Sequence, residues 1–402
     1  MTIPAFLDRD DYLQNPVMRR FLKKHKIDLA NSRADYIKAI ETYAAQSDSS
    51  KAETELFLLT VAKEGSKEIC FRKIYRFEEW HKDSVLVDAK IQEAFPNCPR
   101  KSILSYCNTG DKTLIDYHIS TNEHGRVTKI DFTFSSLFLY GAVGEFGDVT
   151  VLPVFIEVYI DSGFIVSRAK AKSTLFKYDE ENHFLDNASK INTTDYAVQI
   201  IDEIVDVFGF EVITKSKITK NEIDKMLYSL YEKYSFTPKD VVEQVESQNV
   251  VTTSFVNAIF NNLNLDVRNK EAALLDSKIL VEKFISINGD NEDIFKKDRP
   301  AYLIKVSTDN DTELTKIDTA SYKLVPLQCT EAFFDSKKAV VKSKQCKRLI
   351  LVFKRADEMY FGKSNPLMVQ LGAQKDHGYI KTLQYAEEAD IQNVLQAVFE
   401  NY

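Results

Sequence analysis

Glycine, proline and tryptophan are scarce in this chain of 402 residues, which has 12 glycines, 9 prolines and one tryptophan. So few chain-breaking residues exclude a collagen-like or low-complexity protein and predict short connections between packed elements. The uncharged run Ser135–Gly144 is far shorter than the ~20 residues that a membrane-spanning helix needs, so we expect no membrane partner. The amino-terminal sequence has no charged stretch followed by an apolar one, and we therefore expect no secretory signal.

Closely spaced cysteine pairs are also missing. The chain has an odd number of cysteines, and none of them forms a CxxC pair; they are Cys70, Cys98, Cys107, Cys329 and Cys346. This usage predicts free thiols in a reducing, cytoplasmic setting. Zinc ligands usually come as close pairs, and His118 and His124 are too loosely spaced, so we expect no metal. Nucleophile-elbow, P-loop and dinucleotide-binding glycine motifs do not occur, and we expect no cofactor.

Aromatic and charged residues are abundant instead. There are 26 phenylalanines and 19 tyrosines, 44% of the residues are hydrophobic and 28% are charged. This composition is typical of a soluble globular protein, and the length exceeds what one hydrophobic core usually supports. The formal net charge of -7 argues against a protein that binds nucleic acid over its whole surface, although it permits a local basic patch.

The hydrophobic periodicity changes along the chain and predicts an α+β fold with four segments. A helical amino-terminal module covers residues 1–110, and an antiparallel β-rich domain with a closing helix covers 111–215. Residues 216–290 form a helical segment, and 291–402 a smaller mixed α/β domain. Gly125 and Gly163 follow polar residues between alternating stretches, which predicts two β-hairpins.

Residues 15–45 resemble the helix–extended loop–helix of the SAP and LEM families. The residues near the packing positions of that pattern are Phe21, Leu22, Ile27, Leu29, Arg33, Tyr36, Ile37 and Ile40, with Asn31 where SAP modules have glycine. The resemblance implies DNA or chromatin contacts as in SAP proteins, or protein or DNA contacts as in LEM proteins. The segment is locally basic, as phosphate contact requires, through Arg19, Arg20, Lys23, Lys24, Lys26 and Arg33. The alternative is the solvated face of a small helical bundle.

A second basic element lies in the sequence FIVSRAKAKSTLF. In an extended β-strand, Arg168, Lys170 and Lys172 share one face. Their spacing of about 6–7 Å is close to the distance between successive phosphates of a nucleic-acid strand. Pairing about Ser162 would place Arg168 opposite Ile156, beside an aliphatic face, unless a bulge resets the pairing. The alternative is an edge strand whose lysines block aggregation.

The stretch DSVLVDAKIQEAF raises the possibility of a nuclease. Asp88 and Lys90 match a (D/E)xK motif, and Asp83 is an acidic residue upstream of it. On β-strands, such a set can bind a divalent metal ion and orient a water molecule for attack. The same residues also fit a helix through Val87 and Ile91.

Our leading hypothesis is a non-enzymatic, cytoplasmic nucleic-acid-binding or adaptor protein. In it the two basic elements contact the phosphate backbone without base specificity. One alternative is a protein–protein interaction subunit of a multi-component bacterial system, including an antiviral one. The other is a metal-dependent nuclease.

Overall fold

The protein folds into two compact units. Unit 1 comprises Met1–Thr219 with Gln374–Phe399, and unit 2 comprises Lys220–Arg355 with 366–373 and Glu400–Tyr402. The predicted segments 1–110 and 111–215 thus lie in one unit. The computed structural model describes residues 1–8, 12–28, 32–105, 110, 112–170, 172, 174–213, 215–288, 292–310, 315–321, 324–355 and 366–402. Leu29, Asn31 and Cys107, which entered the predictions above, lie outside the described residues.

Helices make up the larger share of both units, and none of the described ones is long and apolar enough to cross a membrane. In chain order the α-helices are α1 (Asn15–Lys24), α2 (Arg33–Ala44), α3 (Asp48–Lys63), α4 (Ser84–Ala94), α5 (Thr193–Phe208), α6 (Ser216–Tyr234), α7 (Lys239–Ser247), α8 (Asn249–Asn262), α9 (Lys270–Ile287), α10 (Glu292–Lys296), α11 (Glu331–Ser343) and α12 (Glu388–Asn401). Short 3-10 turns lie at Glu79–Lys82, Val267–Asn269 and Leu327–Cys329.

The strands are antiparallel throughout. In chain order they are β1 (Glu68–Arg76), β2 (Thr113–Thr121), β3 (Val127–Tyr140), β4 (Asp148–Tyr159), β5 (Phe164–Ala169), β6 (Leu175–Lys177), β7 (Lys190–Ile191), β8 (Glu211–Val212), β9 (Ala301–Asn310), β10 (Thr315–Ala320), β11 (Arg348–Phe353), β12 (Leu367–Gln374) and β13 (His377–Thr382). In unit 1 the order is β13-β1-β5-β4-β3-β6-β7, with β2 on β3 and β8 on β1, and in unit 2 it is β10-β9-β11-β12. The predicted α+β class is confirmed.

The sheet of unit 1 is buried on both faces because its strands alternate two apolar sets. Val154, Ile156 and Val158 of β4 belong to a core shared with α4 and α5. On the opposite face, Phe155 packs in a core with α1, α2 and α3. Alternate residues of β4 thus face two different sets of helices.

Local capping agrees with the sequence at some helix ends and differs at others. Ser32 caps α2, because its side chain accepts a hydrogen bond from the Asp35 amide at 3.2 Å. Gln14 precedes α1 without a side-chain cap, although an Asn follows it, and Pro16 lies in the first turn, where its missing N–H costs nothing. Thr219, which with Glu222 has the spacing of a capping box, instead lies inside α6, and its hydroxyl donates to the Ile213 carbonyl at 2.9 Å.

Both predicted hairpins form, at Gly125 with φ 71° and at Gly163 with φ 70°, in the left-handed region that glycine adopts without strain. The register of the second hairpin differs by one residue from the predicted one. Tyr159 pairs with Phe164, so Arg168 lies opposite Phe155 and not opposite Ile156. Because neighbouring residues of a strand face opposite sides, this shift moves Arg168 to the other face of the sheet.

Candidate functional site

Arg168 lies at the centre of a buried charge cluster and not on an exposed ribbon. Its side chain has 0% exposure, and its guanidinium lies 2.6 Å from the carboxylate of Glu157 on the neighbouring strand. A second carboxylate, from Glu388 at the start of α12, lies 2.6 Å from the other terminal nitrogen. The guanidinium thus makes charge-assisted hydrogen bonds to two carboxylates, and none of its charge is presented to solvent.

Lys129 of β3 continues the cluster. Its ammonium group lies 2.8 Å from Glu157 and 2.8 Å from Asp131. Burial raises the pKa of Glu157, but Arg168 and Lys129 outweigh burial and lower it to about 2. The pKa of Lys129 is raised because its carboxylate neighbours outweigh its desolvation. These groups therefore stay ionised together, as a paired network inside the protein.

The other two cations of the proposed ribbon lie beyond the strand, which ends at Ala169. Lys170 is buried, and its ammonium group lies 5.9 Å from the ring centre of Tyr12. Lys172 is half-buried and lies 5.4 Å from the same ring. The prediction of an exposed ribbon of Arg168, Lys170 and Lys172 is therefore corrected. The register and two carboxylates hold Arg168 inside the fold, and Lys170 is buried beside Tyr12.

The cations predicted on the amino-terminal helices divide into two groups. Three of them make polar contacts within unit 1. Arg19 donates to the Tyr36 hydroxyl at 2.7 Å, Arg20 pairs with Glu387, and Arg33 donates to the Leu13 carbonyl at 2.6 Å. These contacts fix α1 against α2 and against the start of α12, so they give these three side chains a structural role.

Lys23, Lys24 and Lys26 form the second group, at the end of α1. All three are exposed, and within the part of the chain that the structure describes none of them makes an ion pair. Basic residues in a last helical turn also interact favourably with the helix dipole. These three lysines are the predicted phosphate-contacting cations that the fold leaves accessible.

Arg20 and Lys24 also line a groove of about 480 Å³ between α1, α3 and the start of α12. The floor is apolar, because the rings of Phe21 and Phe57 stack with their centres 4.3 Å apart. The rim is acidic, since four carboxylates outnumber the two lysine and arginine charges; they belong to Glu53, Glu64, Glu387 and Glu388. Two of these carboxylates are paired with arginines, Glu387 with Arg20 and Glu388 with Arg168, so the groove is not a continuous basic surface.

Polar contacts order both ends of this groove. At one end the Tyr43 hydroxyl donates to Glu53 at 2.8 Å and lies 2.7 Å from His25 Nδ1. The hydrogen bond to Glu53 raises the pKa of Tyr43. At the other end Glu64 accepts a hydrogen bond from the Glu388 amide at 2.9 Å, and burial raises the pKa of its carboxyl group. Glu64 thereby caps α12 from a distant part of the sequence.

The three residues of the nuclease hypothesis lie at the start and on the surface of helix α4. Asp83 caps α4 by accepting hydrogen bonds from the amides of Val85 and Leu86 at 2.9 and 3.2 Å. Asp88 accepts from Tyr117 at 2.6 Å, and Lys90 pairs with Glu93 at 2.9 Å. The strand form of this motif is therefore wrong, and no group of three or more candidate metal ligands occurs among the described residues.

In unit 2, helices α7, α8 and α9 expose an extensive apolar surface. We call α8 and α9 together the helix pair. Of α8 only Thr252 and Val256 are buried, and of α9 only Ser286 is. The exposed apolar side chains of the helix pair are Val250, Val251, Phe255, Leu275, Leu280 and Phe284. Exposed apolar side chains on two neighbouring helices are typical of a protein interaction site.

A groove of about 630 Å³ runs along the helix pair. Val250 of α8 and Leu274 and Leu275 of α9 line it, with one acidic residue, Glu271, and one basic residue, Lys278. Lys278 lies 3.2 Å from Glu246 of α7. The groove is thus apolar and electrically nearly balanced, which suits the side chains of another helix.

The hydrophobic pattern predicts helices over 216–290 but indicates no function for them. The signal was present in α8, where NVVTTSFVNAIFNN has no charged residue over four turns. An amphipathic surface helix normally has a charged or polar face opposite its core face. No protein-family model, no curated protein and no solved structure matches this chain.

Proposed function

We propose that this protein is a non-enzymatic interaction subunit that associates through the helix pair, and that a second copy of the chain occupies this surface. The observation that supports the proposal is the exposure of apolar residues on helices that have almost no core of their own. Val250 is 78% exposed and Phe255 57% exposed, in a helix without any charged side chain. Burial of such side chains against a partner is the main favourable term in association.

A second copy is the occupant that the charges favour. Because α8 carries no charge, an α8 helix from another copy would desolvate no charged group on that helix. The groove offers one carboxylate and one ammonium group, and the ammonium group of Lys278 already lies 3.2 Å from Glu246. A two-fold dimer would place the uncharged α8 of each copy against this nearly neutral groove of the other. Closed two-fold dimers are the commonest oligomers of soluble proteins, and their interfaces are self-complementary in this way.

Size-exclusion chromatography with light scattering tests the proposal. We expect the purified chain to have about twice the 46.1 kDa mass of one copy at a concentration of about 50 µM, and to dissociate on dilution. Val250→Ser with Phe255→Ser should yield the monomer. The matched control replaces two exposed apolar residues of α4, Val85→Ser with Leu86→Ser, and should stay dimeric. A monomeric wild-type protein, or a dimer that persists in the α8 variant, would contradict the proposal.

Nucleic-acid contact is the second candidate function, and the accessible lysines at the end of α1 support it. In this form of the hypothesis Lys23, Lys24 and Lys26 contact the phosphate backbone without base specificity, whereas Arg168 does not take part. Binding of a fluorescent duplex should then weaken steeply as salt is raised. Replacing the three lysines with glutamine should abolish it, and replacing the exposed Lys51, Lys177 and Lys217 should not. Equal effects of both triple variants would contradict specific contact by α1.

The remaining predictions have less support. A nuclease through Asp88 and Lys90 is disfavoured because both side chains are engaged in helix-surface contacts. We propose a cytoplasmic location on the basis of the cysteines, since the four within the described residues are all free thiols. Membership of a multi-component bacterial system, and the SAP or LEM resemblance of α1 and α2, stay predictions.

A further inference from the structure

We infer that the end of the β3–β4 hairpin forms, together with the loop before β7, a docking platform for an arginine- or lysine-bearing segment of a partner protein. We call this surface the acidic platform, and it comprises residues 140–149 and 178–189. It belongs to unit 1 and does not depend on the helix pair. The inference rests on three independent observations: a rigid backbone, an exposed aromatic pair and unpaired carboxylates.

Backbone hydrogen bonds join the two loops of the platform. The Gly144 amide donates to the Leu185 carbonyl at 2.8 Å, and the Leu185 amide donates to the Glu145 carbonyl at 2.9 Å. The Gly147 amide donates to the His183 carbonyl at 2.9 Å. The Leu185 side chain is fully buried in a small core with Leu139. The platform is therefore preformed, so binding would cost little loop ordering.

Close packing under the platform requires glycine. A Cβ atom at Gly147 would lie 2.7 Å from Leu185 Cδ2 and 3.0 Å from Leu139 Cβ. The buried leucine thus occupies the space that a side chain would take, and it draws the two loops together. Glycine at this position therefore allows the two loops to approach closely.

Two aromatic rings project from this rigid base. Phe146 is 78% exposed and Phe184 is 46% exposed, and their ring centres lie 5.8 Å apart at 75°. The two residues also form an isolated β-bridge, so the pair is held by main-chain as well as ring contacts. Val143 and Val149, from the same hairpin end, are also exposed. An exposed aromatic pair that has a defined geometry is typical of the anchor region of an interface.

The charged side chains within the two stretches are all acidic, whereas Lys172 lies 5.3 Å from the ring centre of Tyr140 at one edge and Lys177 and Lys190 flank the second stretch. Glu145, Asp148, Glu180 and Glu181 are exposed, and their carboxylates make no ion pair with any residue that the structure describes. Asp179 and Asp186 add two further charges, which accept amide hydrogen bonds of their own loop. Neither residues 140–149 nor residues 178–189 contain a lysine or an arginine. The platform thus has six negative charges and no positive ones in these two stretches.

This combination selects the chemistry of the partner. A guanidinium or ammonium group is attracted to the face of an aromatic ring and to a carboxylate, and the platform offers both within one surface. Nucleic acid and anionic lipid are repelled by the same carboxylates. Charge complementarity therefore favours a cationic polypeptide segment whose aliphatic side-chain stems cover the two rings.

Fluorescence anisotropy with a labelled peptide of six arginine–glycine repeats tests the inference on the full chain. We expect binding that weakens with salt and that is reduced at least about fivefold by Phe146→Ser with Phe184→Ser, which leave the charge unchanged. Glu180→Gln with Glu181→Gln should reduce it by a similar factor. The matched control removes two exposed charges elsewhere, Glu123→Gln with Asp240→Asn, and should change binding less than about twofold.

Three outcomes would overturn the inference. One is an unchanged affinity of the Phe146→Ser, Phe184→Ser variant, for which the single variant Phe146→Ser provides a second measurement with less change to the fold. Another is an equal loss in the control variant, which would show that the peptide responds only to net charge. The third is tighter binding of vesicles rich in phosphatidylserine than of the peptide. The Val250→Ser, Phe255→Ser variant should bind the peptide like the wild type, so failure of the dimer proposal is distinguishable.

Discussion

The guanidinium of Arg168 and the carboxylate of Glu157 lie 2.6 Å apart on neighbouring strands, and their side chains are 0% and 4% exposed. The pair lies on the sheet face where Glu388 of α12 provides the second carboxylate. Charged side chains so deeply buried are tolerated only when each is paired and hydrogen-bonded. Arg168, the first cation of the predicted binding ribbon, is therefore part of the interior of unit 1. Its ion pairs connect β5 to β4 and to α12.

Removal of Arg168 should destabilise the protein strongly. Arg168→Ala leaves the Glu157 carboxylate buried with less compensation, and breaking a buried pair in this way typically costs about 3–5 kcal/mol. Urea denaturation followed by circular dichroism measures the change in the free energy of unfolding. Lys23→Ala, at an exposed position of α1, should change it by less than about 0.5 kcal/mol. Equal stability of the two variants would show that the buried pair contributes nothing.

The same cluster should make stability depend on pH in the acid range. The pKa of Glu157 is lowered to about 2 in the folded protein, below the ~4.3 of an unfolded glutamate. Because the folded-state pKa is depressed, its contribution is fully present above about pH 4.3 and is lost as the pH falls toward 2. The pKa of Glu388 is lowered in the same direction, since Arg168 outweighs its burial.

Glu157→Gln should therefore reduce the steepness of acid unfolding between about pH 4.5 and pH 2. The comparison uses urea denaturation curves of both proteins at several pH values in this range. Glu64→Gln is an informative contrast, because burial raises the pKa of Glu64 and the sign of its contribution is opposite. A Glu157→Gln slope equal to that of the wild type would contradict the assigned pairing.

Gly378 should not tolerate alanine. It lies opposite Phe71 where β1 pairs with β13, and a Cβ atom there would lie 2.1 Å from Phe71 Cζ. Overpacking of this kind typically costs about 1–3 kcal/mol because the ring must leave its place in the core. Thermal unfolding of Gly378→Ala should show a lower midpoint, and the second substitution Phe71→Leu should restore part of the loss. Without any such restoration, the ring would not be the cause.

Asp83 should act as a helix cap and not as a metal ligand. Asp83→Ala removes an acceptor for the amides of Val85 and Leu86, and loss of such a cap costs about 1 kcal/mol. Asp83→Asn keeps an oxygen acceptor and should lose much less stability. Urea denaturation in the presence and absence of magnesium measures both effects. Stabilisation of the wild type by magnesium that is absent in Asp83→Asn would instead indicate a metal site.

Sequence patterns predicted turns and helix ends better than the register in which strands pair. The hairpins at Gly125 and Gly163 and the cap at Ser32 were predictable, since turn glycines and capping hydroxyls act within a few residues. The register of β4 and β5 was not predictable. It depends on whether three or four residues form the connection, and a change of one residue reverses the face of every side chain.

For the helix pair and the acidic platform, too, the composition is visible in the sequence, whereas the exposure of the side chains is not. The uncharged sequence of α8 and the acidic stretch YDEEN are legible in the chain, because composition alone shows what a segment lacks. Which side chains remain exposed depends on contacts between residues that are far apart in sequence. Arg168 meets Glu388 across 220 positions, and Glu64 caps a helix 324 positions later. No local pattern encodes such pairings, because they arise only when the chain has folded.

By itself, then, the sequence was sufficient to predict the α+β class and the positions of most helices and hairpins. It also contains few motifs of known chemistry. The tertiary structure alone decided that Arg168 and Lys170 are buried, that Lys23, Lys24 and Lys26 stay accessible, and that Phe146 and Phe184 form an exposed pair. The physical reason is that propensity and periodicity act over neighbouring residues, whereas burial and charge pairing are properties of packed surfaces.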